Sequence, residues 1–109
     1  MAEEKSRLEQ FKELVELDPN DGFSRYALAM EYLGAGNYSE SLRQLQEVIR
    51  LEPDNHTAYF QAGVACRKSG DINGAKEFWK RGIEVAQGKG DSHAVDKMSE
   101  ALEILESGE

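Results

Sequence analysis

One cysteine, two prolines and no long apolar run: these shortages narrow what the chain can be. A single thiol, Cys66, cannot close a disulfide within the chain, which fits a reducing compartment, and the expected location is the cytoplasm. Residues 1–20 open on Glu3 and Glu4 instead of the cationic and apolar blocks of a signal peptide, so none is expected there. No segment approaches the roughly 20 apolar residues of a membrane span, so no membrane partner is expected. Cationic side chains are also in short supply. Thirteen Lys and Arg stand against 21 Asp and Glu, a net charge of −8. Affinity for a phosphate backbone comes from clustered Lys and Arg, so no nucleic-acid partner is expected.

Chemistry-bearing patterns are missing as well. There is no glycine-rich phosphate loop and no Ser-His-Asp arrangement that spacing justifies. His56 and His93 read as isolated, without Cys or carboxylate partners at ligand spacing. Asp71-Ile72-Asn73-Gly74 faintly resembles a calcium loop, but its glycine comes too early and a closing Glu is misplaced; helix capping accounts for it. The acidic pairs, Glu3-Glu4 among them, read as solvated faces, and Cys66 as a buried, inert thiol. No catalytic residue, cofactor or metal is expected, and the chain is not expected to be an enzyme.

What is present is helical periodicity over a single domain spanning 1–109. A helix is predicted over 3–17, with Leu8, Phe11, Leu14 and Val15 on one stripe, Leu17 trailing, and Glu9, Lys12, Glu13 and Glu16 opposite. Pro19 ends it. Asn20 or Asp21 caps a second helix to about Gly34, in which Phe23, Tyr26, Leu28, Ala29, Met30 and Tyr32 leave little polar surface. Gly36 stops it in a left-handed turn. Asn37, with Glu40 three residues on, opens a third helix buried through Leu42, Leu45, Val48, Ile49 and Leu51, and Pro53 closes that one. A fourth helix after Asn55 packs through Tyr59, Ala62, Gly63 and Cys66 as far as Gly70. Asp71 caps a fifth carrying Ala75, Phe78, Trp79, Gly82, Ile83 and Val85, with Glu77 and Arg81 as an i,i+4 pair. Gly88 and Gly90 precede a sixth, 91–107, on a stripe of Val95, Met98, Leu102 and Leu105.

Pro19 and Pro53 lie 53 − 19 = 34 residues apart, and the same offset sets 22–55 over 56–89. Gly36 then falls on Gly70, Asn37 on Asp71, Leu45 on Trp79, Ile49 on Ile83, and Ala29 on Gly63. A 34-residue helix–turn–helix unit with Leu28-Ala29, Tyr32, Gly36, Ser41, Leu45, Val48 and Pro53 resembles the tetratricopeptide repeat family. Tyr59, Ala62-Gly63, Cys66, Gly70, Ala75, Trp79 and Gly82 occupy the matching places in the second unit. Two positions depart: Arg25 replaces the opening bulky residue, and Gln87 replaces the second closing Pro, so the fifth helix is expected to run on slightly. The resemblance implies an all-α solenoid of stacked antiparallel hairpins. About six helices are expected, the first an N-terminal half-repeat and the last a capping helix. Stacking is also what the periodicity requires, because no single pair can bury its own stripe.

The resemblance further implies that the first helix of each unit lines a concave groove. Those positions are Phe23, Tyr26, Ala27, Met30 and Leu33 in one unit, and Thr57, Phe60, Gln61, Val64, Arg67 and Lys68 in the next. Exposed aromatics and Met beside Arg are common material of an interaction hot spot. The alternative is that Tyr26 and Phe60 pack against adjacent helices and the final capping helix. Arg67 and Lys68 read as solvated cations, with recognition of an acidic group as the alternative. Many family members hold a chaperone's C-terminal carboxylate with paired Lys and Asn; here the corresponding places hold Tyr26, Met30 and Gln61, so that clamp is absent. The expected partner is a protein or peptide offering an apolar or amphipathic segment. A second expectation is a homodimer in which the groove or an end helix meets its copy, with Ile104 as an apolar residue off the main stripe.

Overall fold

The computed structural model describes residues 4–108 and shows six helices, with no strand among them. They are α1 (Arg7–Leu17), α2 (Gly22–Gly34), α3 (Tyr38–Leu51), α4 (His56–Ser69), α5 (Ile72–Gly88) and α6 (Ser92–Ser107). Each helix packs mainly on its sequence neighbours, α1 on α2, α2 on α3, and so on to α6. That serial packing is the solenoid expected from the repeat. The molecule measures 53 × 30 × 19 Å, with a radius of gyration of 14.9 Å. A compact chain of this length would be near 13 Å, so the array is stretched along its stacking axis.

Helix starts follow one device. Asp21, Asn37, Asn55, Asp71 and Asp91 each accept a backbone N–H from the first turn they precede. The start of α1 differs from expectation. Residue 3 lies outside the described residues, and Glu4 to Ser6 are not helical. Ser6 is the cap: its hydroxyl accepts from the Glu9 amide at 3.1 Å and the Glu9 carboxylate accepts from the Ser6 amide at 3.3 Å. This capping box was legible as Ser-x-x-Glu and outweighs the apolar stripe in fixing the boundary. At the other ends, Gly36 and Gly70 take positive φ of 79° and 91° as expected of left-handed stops. With Gln87 in place of a proline, α5 continues to Gly88.

Two clusters make the core. Ala29, Leu45, Val48, Ala58 and Ala62 form the first, between α2, α3 and α4. Trp79, Ala86, Ala94 and Met98 form the second, between α5 and α6. Within each unit a bulky residue on the second helix enters a gap left by a small one on the first: Leu45 against Ala29, Trp79 against Gly63. A Cβ at Gly63 would collide with the Trp79 indole, whose Nε1 donates to the Phe60 carbonyl at 3.0 Å. A Cβ at Gly82 would come 2.6 Å from Met98 Sδ, so that glycine lets α6 seat.

The departure at Arg25 also finds its reason. Its Nε donates to the Pro19 carbonyl at 2.8 Å and its Nη1 to Gln44 Oε1 at 2.9 Å. Tyr59, in the same register one unit on, donates its hydroxyl to the Pro53 carbonyl at 3.0 Å. Both residues tie a helix to the loop that delivers it, with different donors.

Three sequence expectations are corrected. Leu14, placed on the apolar stripe of α1, and Leu17, placed trailing it, are 44% and 82% exposed, because α1 packs mainly on α2 and buries Val15 alone. Arg81 does not bridge Glu77; its guanidinium lies over the rings of Tyr59 (5.2 Å) and Phe78 (5.8 Å). The faces of these aromatics attract the cation while the hydrocarbon stem stays packed. His56 is not isolated, since its Nε2 lies 3.0 Å from Asp91 Oδ2.

Candidate functional site

The first helices of successive units, α2 and α4, and then α6, line one wall of the array. Phe60 on α4 sits at its centre. Its ring stacks on Trp79 with centroids 6.2 Å apart and planes 22° from parallel. The Lys97 ammonium of α6 lies 4.4 Å from the Phe60 centroid. These contacts divide the α4–α6 seam into two clefts that share Phe60. One, of about 250 Å³, is lined by Phe60, Val64, Arg67, Trp79, Ala101, Ile104 and Leu105. The other, of about 190 Å³, is more polar than the first, and His56, Thr57, Gln61, Asp91, His93 and Lys97 border it together with Met98. A third hollow of about 350 Å³ lies between α2 and the entry to α4, walled by Phe23, Tyr26, Glu52, Asn55 and Thr57.

The predicted groove residues divide accordingly. Phe23 is 77% exposed. Tyr26 and Met30 are half-buried, with one flank on the Ala29–Ala62 cluster. Burial pushes the Tyr26 phenol above its ordinary pKa, opposed by a hydrogen bond with the Gln61 side chain. Phe60 and Val64 are half-buried against Trp79 and Met98. Ala27 and Leu33 are half-buried, and Thr57, Arg67 and Lys68 are exposed. Tyr26 and Phe60 thus each pack against a core cluster and keep part of their surface exposed.

Sequence reasoning assigned α6 to capping, or as an end helix to meeting a copy of the chain, and did not place His93, Lys97, Ala101 and Ile104 beside α4, where they line the two clefts. The signal was available in Ile104, which stands off the buried stripe and is 64% exposed. The spacing also changes here: α4 follows α2 by 56 − 22 = 34 residues but α6 follows α4 by 92 − 56 = 36, so the register slips by the extension of α5.

Cys66 is buried, and burial followed by the Asp71 charge raises its thiol pKa, so the reactive thiolate is disfavoured. Asp91 is held below the ordinary carboxylate range by the Ala94 amide, then by the His56 and His93 charges. Among the described residues no group of three or more His, Cys, Asp or Glu side chains could hold a metal, and no helix is long and apolar enough to cross a membrane.

Comparison with known proteins agrees with the repeat. Residues 24–55 and 56–88, together more than half of the chain, match the family model described as Tetratricopeptide repeat. A TPR repeat-containing protein of Pseudomonas aeruginosa is 25% identical over 99 residues, covering 91% of this chain and 94% of the relative. A tetratricopeptide repeat domain protein of Salinibacter ruber, solved in solution, is 32% identical with a TM-score of 0.77, covering 84% of this chain and 93% of that one. The crystal structure of PcrH in complex with the chaperone binding region of PopD superposes with a TM-score of 0.86 at 18% identity, over 92% of this chain and 76% of that one.

Proposed function

The chain belongs to the tetratricopeptide repeat family, and from that membership we propose that it is a protein-interaction scaffold whose concave wall holds an apolar or amphipathic segment of a partner. The observation that carries this reading is the half-buried row of Tyr26, Met30, Phe60 and Val64, bordered by three clefts along one wall. Each side chain is fixed on its inner edge by the core, so little rotamer entropy remains to be lost on binding. Aromatic and methionine surface held in this way suits an apolar anchor. PcrH, similar in fold, binds a segment of another protein, and the same mode is proposed here. A cytoplasmic, non-enzymatic role is part of the same reading, and the buried thiol fits it.

Amide chemical-shift mapping with a binding peptide tests the reading. Shifts should concentrate on α2, α4 and α6; shifts confined to α3 and α5 would reject it. A second reading is favoured by one observation. Leu14 of α1 is in register with Val48 of α3, which is fully buried, yet Leu14 is 44% exposed. A copy of the chain could cover that face. Light scattering at micromolar concentration separates the two readings, since a strict monomer removes the second.

A further inference from the structure

The apolar cleft between α4 and α6 has an unusual electrostatic border. Its lining holds five apolar residues and the Trp79 ring edge, and its single charged member is Arg67. Lys97 closes the seam on the other side of Phe60. In a chain with a net charge of −8, most arginines are engaged. Arg7 pairs with Glu31, Arg43 with Glu40 and Arg50 with Glu47, Arg25 is bound to Pro19 and Gln44, and Arg81 lies over two rings. Among the described residues Arg67 forms no salt bridge, and neither does Lys97, whose ammonium lies over the Phe60 ring. No carboxylate lines the apolar cleft, and the one bordering its neighbour, Asp91, is committed to the Ala94 amide and His56. Glu100 and Glu103 of α6 line neither.

The size of the cleft also discriminates. At about 250 Å³ it falls below the roughly 300–1,000 Å³ of small-molecule and cofactor sites, and suits one large side chain. Its walls (Val64, Ala101, Ile104, Leu105) reward burial of hydrocarbon, while Arg67 in the lining, and Lys97 across Phe60, reward a negative charge nearby. A basic segment would meet Arg67 and Lys97 as like charges.

We propose that the α4–α6 cleft takes a large apolar side chain from a partner segment that carries an aspartate or glutamate beside this anchor, the carboxylate pairing with Arg67 while Lys97, across Phe60, adds to the favourable field. The proposal rests on the concave wall being the partner site and specifies the chemistry that wall selects. It differs from capture of a chain terminus, because the acid required is a side chain flanking an apolar anchor.

A phage-displayed random 12-residue library, panned on the immobilised full chain, supplies the probe without presupposing a partner. Enriched peptides are then synthesised and titrated while following Trp79, the chain's single tryptophan, whose ring lines the cleft. Expected is enrichment of Leu, Phe or Trp with Asp or Glu nearby, a change in Trp79 emission, and at least about fivefold weaker binding to the R67A/K97A variant, both positions being exposed. High salt should weaken binding in the same sense. Enriched apolar peptides without acids, or affinity unchanged in R67A/K97A, would overturn the proposal; amide shifts on α2, α4 and α6 would then leave the scaffold reading standing. No enrichment, or binding mapped to α3 and α5, would overturn both.

Discussion

Gly63 owes its place to a residue sixteen positions away. The Trp79 indole fills the space a Cβ would need, so Gly63→Ala forces the ring or α5 outward. Overpacking of this kind costs about 1–3 kcal/mol, read as a lower urea midpoint at unchanged slope. The first unit already shows the compatible pair, Ala29 with Leu45, both fully buried. The double variant G63A/W79L should therefore be less destabilised than the sum of its singles. A strictly additive result would show that the indole and the glycine are not coupled. This match of small against large was legible in the sequence, because the 34-residue offset set Ala29 on Gly63 and Leu45 on Trp79. The pairing of His56 with Asp91 was not legible: it joins two helix starts whose distance depends on how far α5 runs, and periodicity carries no information on that.

Among the elements, α6 is held by the cap that begins it. Asp91 accepts from the Ala94 amide at 3.0 Å and meets His56 of α4, so one carboxylate starts a helix and ties it to another. Its pKa is lowered in the fold, chiefly by that amide. The stabilisation is therefore complete above the unfolded aspartate value, about 4, and is lost as pH falls through the lower folded value. Asp91→Ala should lower the urea midpoint at pH 7, and the gap from the parent chain should narrow as pH is taken toward 3. A gap that stays constant, or widens, on acidification would show that the carboxylate charge is not what holds α6. The wall contributed by α6 escaped sequence reading for a related reason. Its stripe of Val95, Met98, Leu102 and Leu105 described what it buries, and the residues it offers to the groove had to be seen beside α4.

On the scale of the whole molecule, serial packing makes stability a local property, since each helix is supported by its sequence neighbours. The middle is the best supported: Ala58, Tyr59, Ala62, Gly63, Ala65 and Cys66 of α4 are all buried, whereas α1 buries Val15 alone. Amide hydrogen exchange should accordingly be faster in α1 than in α4, on the order of a hundredfold. Equal protection across both would mean that the array opens as a single unit. Between its ends the array is joined at two proline carbonyls, one taken by a guanidinium and the other by a phenol. What recurs there is an acceptor at a fixed point on the backbone, six residues before the group that finds it. Any side chain long enough to arrive with a proton can serve as the latch. The period of this chain is thus written in main-chain geometry, and its spelling in side chains is free to change from one joint to the next.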